Sequence, residues 1–197
     1  MAKKRTGRLI MVRHGESVGN RERRFTTTPA TLPLTDTGRR QALEAGRRIA
    51  QLFSPHLVIS SPFARARDTA GIIAEVLGLP LEIEHALHER DMGEFAGELY
   101  DAMLTHSAFD PARPWLWKPP RGESFEDVKR RTAPVLDRLA IEHGGREVIV
   151  VSHGGVMMSL WAHVTGNWKG ATVVPNCGII LIEHAEGRYH PPKFIEN

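Results

Sequence analysis

The chain has 197 residues, a formal net charge of +3 and a sequence pI near 9.3. With 41% hydrophobic and 25% charged residues it is neither disordered nor fibrous, and its length suits one domain with a substantial core. The basic excess is slight and gathers partly in Lys3, Lys4, Arg5 and Arg8; with no aromatics interleaved, residues 1–8 read as a flexible basic tail and not as a nucleic-acid arm.

Cys177 is the one cysteine, so no intrachain disulfide forms and a reducing compartment is expected. It precedes an apolar run and reads as a small, partly buried residue at a strand edge. Near the N-terminus, Leu9 to Val12 is an apolar stretch of four residues. A signal-peptide core needs ~7–15 such residues and a membrane helix ~18, so a cytoplasmic protein without membrane contact is expected.

The same four residues read as a strand buried on both faces of a parallel sheet, ending in Arg13-His14-Gly15. The polar, arginine-rich segment 19–33 reads as loop. From Pro33 to Phe53 the spacing of Ala42, Ala45, Ile49 and Leu52 predicts a helix, with Thr35 or Asp36 as its cap. Leu57 to Ser60 reads as a second strand, and residues 63–80 as a second helix closed by Gly78 and Pro80. A short strand follows near Leu81 to Ile83, then an irregular region over 88–121 that contains Trp115 and Trp117.

A third helix begins beyond Gly122, with Ser124 and Asp127 forming a capping box. Phe125, Val128, Val135, Leu136 and Leu139 lie at helical spacing, and Gly144-Gly145 end the helix. Pro134 is expected to bend it. "EVIVVSHGG" is another apolar strand, "VMMSLWAHVTG" another helix and "GIILIEH" a late strand. Strands alternating with helices predict a three-layer α/β/α sandwich on a mostly parallel sheet, as a single domain over 1–197.

In such sheets ligands bind outside the carboxyl ends of the strands. Three strands end there in Arg13-His14-Gly15, in Ser60-Ser61 leading to Arg65, and in Ser152-His153-Gly154-Gly155. Arginine offers a planar fork that fits phosphate oxygens and keeps its charge. Glycine allows close backbone approach, and the helix N-terminus it opens favours anions. A neutral imidazole is a competent nucleophile, and nearby arginines hold His14 neutral. The set points to a phosphoryl group.

"RHGES", "SSPFARARDTA", "LHERDMGEFAG" and "VSHGG", with "PLTDTGRRQA" and "GESFEDVKRR" between them, resemble in order the segments of the histidine phosphatase superfamily, the phosphoglycerate mutase-like group. The resemblance runs from Leu9 to about Ile182. It implies His14 as the nucleophile that becomes phosphohistidine. It implies Arg13, Arg65 and His153 as the grip on the phosphoryl oxygens, with Asn20 and the Gly154 N–H as further donors. Glu89 becomes the general acid and then the base, for which a closed pocket would raise its pKa. Asp91, Glu94 and Glu98 stand close enough in sequence to compete for that role. Thr26 and Thr27 occupy the place where members often carry Gln-Gly and are expected to touch substrate, and Phe95-Ala96-Gly97 replaces a frequent Trp-Glu-Gly.

The implied activity is hydrolysis of a small phosphorylated metabolite, with no metal, cofactor or nucleic acid; the sequence assigns no oligomeric state. A mutase and a non-catalytic phosphate-binding module are the alternatives. Arg21, Arg23 and Arg24 either steer a second anionic group or are solvated, and the region with Trp115 and Trp117 either closes over the pocket or caps the core. His85, His88, His106 and His163 have no metal-ligand spacing, and Met157, Met158 and Trp161 read as helix packing.

Overall fold

A computed structural model describes residues 6–25 and 32–196. Twelve helices and strands form among them: β1 (Gly7–Arg13), α1 (Val18–Glu22), α2 (Asp36–Leu52), β2 (Leu57–Ser60), α3 (Ala64–Leu77), β3 (Leu81–Ile83), α4 (Phe125–Glu142), β4 (Glu147–Ser152), α5 (Gly154–Thr165), β5 (Ile179–Ala185), β6 (Arg188–Tyr189) and β7 (Lys193–Ile195). Short 3-10 turns punctuate the segment between β3 and α4.

The strand order is β3-β2-β4-β1-β5-β6, with β7 also on β5. The run β3-β2-β4-β1 is parallel, as the alternation of strands and helices predicts. β5 pairs antiparallel with β1, and β6 and β7 pair antiparallel with β5, from which no helix separates them. Alternate side chains of each central strand point to opposite faces. Ile10, Val12, Val58, Ile149 and Val151 meet Ala42, Ala45 and Ile49 of α2 and Ala66, Ala70 and Ile73 of α3. Leu9, Met11, Ile59, Val148 and Val150 meet Val128, Leu136 and Leu139 of α4 and Val156, Met157 and Leu160 of α5. The result is three layers.

Helix starts follow the cap chemistry of the sequence. Thr35 accepts from the Gly38 N–H. Ser124 and Asp127 form the reciprocal capping box, and α4 runs unbroken through Pro134. In the segment expected to be loop, α1 forms: Ser17 caps it and the Asn20 side chain closes a second capping box. The tail expected over 1–8 is shorter, since Gly7 and Arg8 belong to β1. Arg8 donates to Glu147 and Glu183 on the neighbouring strands at 2.8 and 3.0 Å, which ties the chain to the sheet. Residues 1–5 of that tail lie outside the described residues. No helix among the described residues is long and apolar enough to cross a membrane.

Candidate active site

The parallel register sets the carboxyl ends of β1 and β4 side by side, with Arg13 opposite Ser152, and β2 ends level with β4 through Ser60 and Val151. Three turns therefore open onto one edge. His14 leaves β1 and is 2% exposed, while His153 caps α5 and is fully buried. Their ring centroids stand 5.1 Å apart in an edge-on pair. Arg65, in the first turn of α3 and 4% exposed, donates from Nε to His14 Nε2 at 3.0 Å. Two imidazoles and two guanidiniums from remote segments thus meet at one place.

The tautomer of His14 follows from its partners. Nδ1 lies 2.7 Å from the Gly15 carbonyl oxygen, which only accepts, so Nδ1 carries the proton and Nε2 carries the lone pair. Burial holds the ring's pKa well below the ordinary histidine value, and the charges of Arg65 and Arg13 push it further down. Burial does the same to His153, helped by Arg65. The Gly15 N–H donates to Thr69 Oγ1 at 3.0 Å, and a Cβ on Gly15 would meet the Gly38 carbonyl oxygen at 2.5 Å, so this turn admits glycine alone.

His153 Nε2 lies 2.7 Å from Ser61 Oγ, and that oxygen also accepts from the Phe63 N–H at 3.3 Å. His153 Nδ1 is buried with no partner among the described residues, and so is Arg13 Nε. Arg13 is anchored by its Nη1, which donates to the Val174 carbonyl at 2.7 Å. Burial lowers the pKa of Arg65 to about 10, with Glu89 and Tyr100 acting against that fall; the guanidinium stays charged at neutral pH.

Glu89 reaches the same edge. Its carboxylate accepts from the Gly155 N–H at 3.3 Å and from the Arg90 N–H at 2.8 Å. Its backbone is pinned by Arg131, which donates to the Glu89 carbonyl at 3.2 Å, and Ser152 Oγ holds the Leu87 carbonyl at 2.9 Å. Of the rival carboxylates, Glu94 pairs with Arg121 at 2.8 Å, Asp91 accepts from the Gly93 N–H, and Glu98 does not line the cleft. Among the described residues Glu89 is the one acidic residue of the cleft, which holds about 280 Å³ and is lined by Arg13, His14, Asn20, Arg65, Glu89 and Gly154 around its polar end.

Asn20 arrives on α1. Its Oδ1 is used by Ser17 and by Asn176 Nδ2 at 3.1 Å, and its Nδ2 points to Tyr100 Oη at 3.3 Å. Ser61, Thr69, Tyr100 and Asn176 are site residues that the sequence reading missed. Asn176, which also donates to the His14 carbonyl at 3.0 Å, comes from a turn with no motif of its own. Thr26 and Thr27 lie outside the described residues.

The tryptophans do not serve the cleft. Trp117 is 4% exposed and packs edge-on against Phe95 and Phe109, while Trp115 stacks on Trp168 at 5.9 Å. Neither lines the cleft, which takes its aromatic faces from Phe25, Tyr100 and Phe125 and, from the same irregular region, Met103 and Pro114 as well. Of the three first-loop arginines, Arg23 pairs with Asp101 in the open at 3.0 Å, and Arg24 lines the cleft while donating to the Gly97 carbonyl at 2.9 Å. Burial raises the Cys177 thiol to about 12, which makes it a poor nucleophile. Its N–H instead reaches the Arg13 and His14 carbonyls. No group of three or more potential metal ligands occurs among the described residues.

A family model described as histidine phosphatase superfamily (branch 1) matches residues 9–195. A glucosyl-3-phosphoglycerate phosphatase of Mycolicibacterium vanbaalenii is 33% identical over 184 residues, covering 83% of this chain and 78% of that one. A metal-independent phosphoserine phosphatase of Arabidopsis thaliana is 33% identical over 163 residues, 80% of this chain and 68% of that one. Among solved structures, a mycobacterial glucosyl-3-phosphoglycerate phosphatase complexed with VO3 superposes with a TM-score of 0.81 at 27% identity, covering 96% and 98% of the two chains.

Proposed function

The chain belongs to the histidine phosphatase superfamily, branch 1, and on that footing we propose that it is a phosphomonoester hydrolase that passes the phosphoryl group of a small metabolite through His14 to water. The observation that supports it most is the pair of buried donors without partners, Arg13 Nε and His153 Nδ1, beside a histidine whose Nε2 is held unprotonated by Arg65. Buried polar groups are normally paired. An oxyanion between these residues would pair both.

The steps balance as follows. His14 Nε2 attacks phosphorus, the N–P bond forms and the ester O–P bond breaks. Protonated Glu89 gives its proton to the departing oxygen. Water then attacks phosphorus, Glu89 takes its proton, the N–P bond breaks and inorganic phosphate leaves. Arg13, Arg65, Asn20 Nδ2 and the Gly154 N–H stabilise charge on the transferring oxygens. His153 joins them through Nδ1–H. That tautomer requires a donor on Nε2, and Ser61 supplies it, since its oxygen already accepts from Phe63 and its hydroxyl proton is free for the ring. A single cysteine, which can form no intrachain disulfide, fits a cytoplasmic setting.

The test is release of phosphate from 4-nitrophenyl phosphate and from a panel of sugar and glycerate phosphates, with a chelator present. Protein quenched in alkaline denaturant is assayed for a phosphoryl bond that is stable to alkali and labile to acid. Hydrolysis and the trapped bond should both vanish in His14→Ala, with the far-ultraviolet circular dichroism unchanged. Transfer between hydroxyls with little release would make it a mutase, and phosphate binding without turnover would make it a binding module.

A further inference from the structure

Beyond the phosphoryl grip, the cleft turns apolar. Phe25, Met92, Tyr100, Met103, Phe125 and Val173 are among its lining residues there. Phe25 and Tyr100 pack with ring centroids 4.9 Å apart. Phe125, which the sequence pattern assigned to the core face of α4, instead joins this wall.

The cations nearby are spent on other partners. Arg90 lies 4.3 Å from the centroid of the Phe125 ring, with Nε donating to the Glu123 carbonyl at 2.6 Å and Nη2 to the Trp117 carbonyl at 2.8 Å. Backbone oxygens hold its guanidinium, and Glu89, Glu123 and Asp127 are the charges that face it. Arg23 is paired outside with Asp101. Arg24, whose Nη1 is held by Gly97, is the one lining cation beyond Arg13, Arg65 and Arg90 among the described residues. A carboxylate on the leaving group would lose its hydration against this wall, which is costly for a charge without a partner.

Resting on the hydrolase reading, we infer that the natural leaving group is an uncharged alcohol with an apolar or aromatic body. The cleft therefore selects against carboxylate-bearing esters of the kind named for the relatives above. Phe25, Tyr100, Met103 and Phe125 are its specificity determinants.

The experiment compares kcat/KM for phenyl phosphates carrying a para-ethyl or a para-carboxylate group, whose leaving-group acidities are close. It adds the aliphatic pair 2-phenylethyl phosphate and phosphoserine. The apolar member should be favoured roughly tenfold or more in each pair, the factor expected when ~50 Å² of apolar surface is buried on one side only. Met103→Lys should shrink that ratio at least fivefold, by raising the rate on the carboxylate esters. Equal or faster turnover of the carboxylate esters by the natural protein overturns the inference, and loss of that turnover in Arg24→Met would identify the cation responsible. Absence of turnover on all four esters would sink the hydrolase reading itself, a different outcome from a reversed preference.

Discussion

Lowering the pH from about 7.5 to about 5.5 should destabilise this protein by about 3 kcal/mol. The cause is the pair His14 and His153, at 2% and 0% exposure, both held well below the ordinary value of 6.5 by burial and then by Arg65. The unfolded chain takes up protons on both rings as the pH falls through 6.5, and the folded chain does not. Stability therefore rises with pH through this window and is level above about pH 7.5. At one unit below 6.5, each ring that stays neutral only when folded accounts for about 1.4 kcal/mol. Two give the total, a large share of a typical stability of about 5–15 kcal/mol. His143 is lowered as well, by burial first, but it is half-buried and adds less. Glu123, Glu126, Asp127 and Glu183 have depressed values, so their contribution is lost only at more acid pH. The assay is urea unfolding followed by tryptophan fluorescence, in buffers without phosphate, because a bound anion would stabilise the fold by mass action. In His14→Asn the acid loss should fall to about half. A flat stability between the two pH values, or an unchanged loss in the variant, would refute the reasoning.

Three further outcomes are expected. Glu89→Gln should slow alkyl phosphates by about 10²–10⁴-fold while leaving 4-nitrophenyl phosphate much less affected, because only the poor leaving group needs a proton; equal losses would move the proton donor to another residue. In Gly155→Ala the new Cβ would meet Glu89 Oε1 at 2.5 Å and Phe125 Cε1 at 3.0 Å. The same leaving-group-dependent loss should follow, with little change in Tm. Ser61→Ala should lower kcat/KM about tenfold, the worth of one hydrogen bond whose direction is no longer fixed, and shift the His153 ring-nitrogen resonances; Ser61→Thr should restore both, and a variant with native resonances and reduced activity would deny Ser61 that role.

The convergence of Arg13, His14, Arg65 and His153 was legible in the sequence because topology does most of the placing. Parallel strands end on one edge, so Arg13, His14 and His153 could be assigned to a common site from their position after apolar runs, and Arg65 from its place just beyond another. The helices were legible through caps such as Thr35 and Ser124, whose chemistry is local. What escaped was long-range or patternless. α1 is five residues long with a single buried position, Gly19; it exists through a local cap and through Asn20 bonds to Tyr100 and Asn176, 80 and 156 positions away. Ser61 and His153 are 92 positions apart, and a serine after a strand has no periodicity to betray its partner. Phe125 matched the core stripe of α4, yet at the first turn the helix already overhangs the sheet, and the ring faces the cleft.

The same geometry explains why the site is expensive for the empty protein. Arg13 and Arg65 are drawn out of water, both below their ordinary pKa through burial, and each faces a histidine that cannot share the charge. Glu89 is the one acidic residue among the described residues that line the cleft, against four arginines. A packed apolar edge would be easier to fold, since buried charges without partners weaken a structure. The excess of positive charge, the neutral ring nitrogens and the unpartnered donors all lose their cost on one event, the arrival of a dianionic phosphoryl group. Arg65 occupies His14 Nε2 in the free protein, so the proposed reaction requires the guanidinium to move onto the phosphoryl oxygens before the lone pair can attack. Binding and activation of the nucleophile are then the same step.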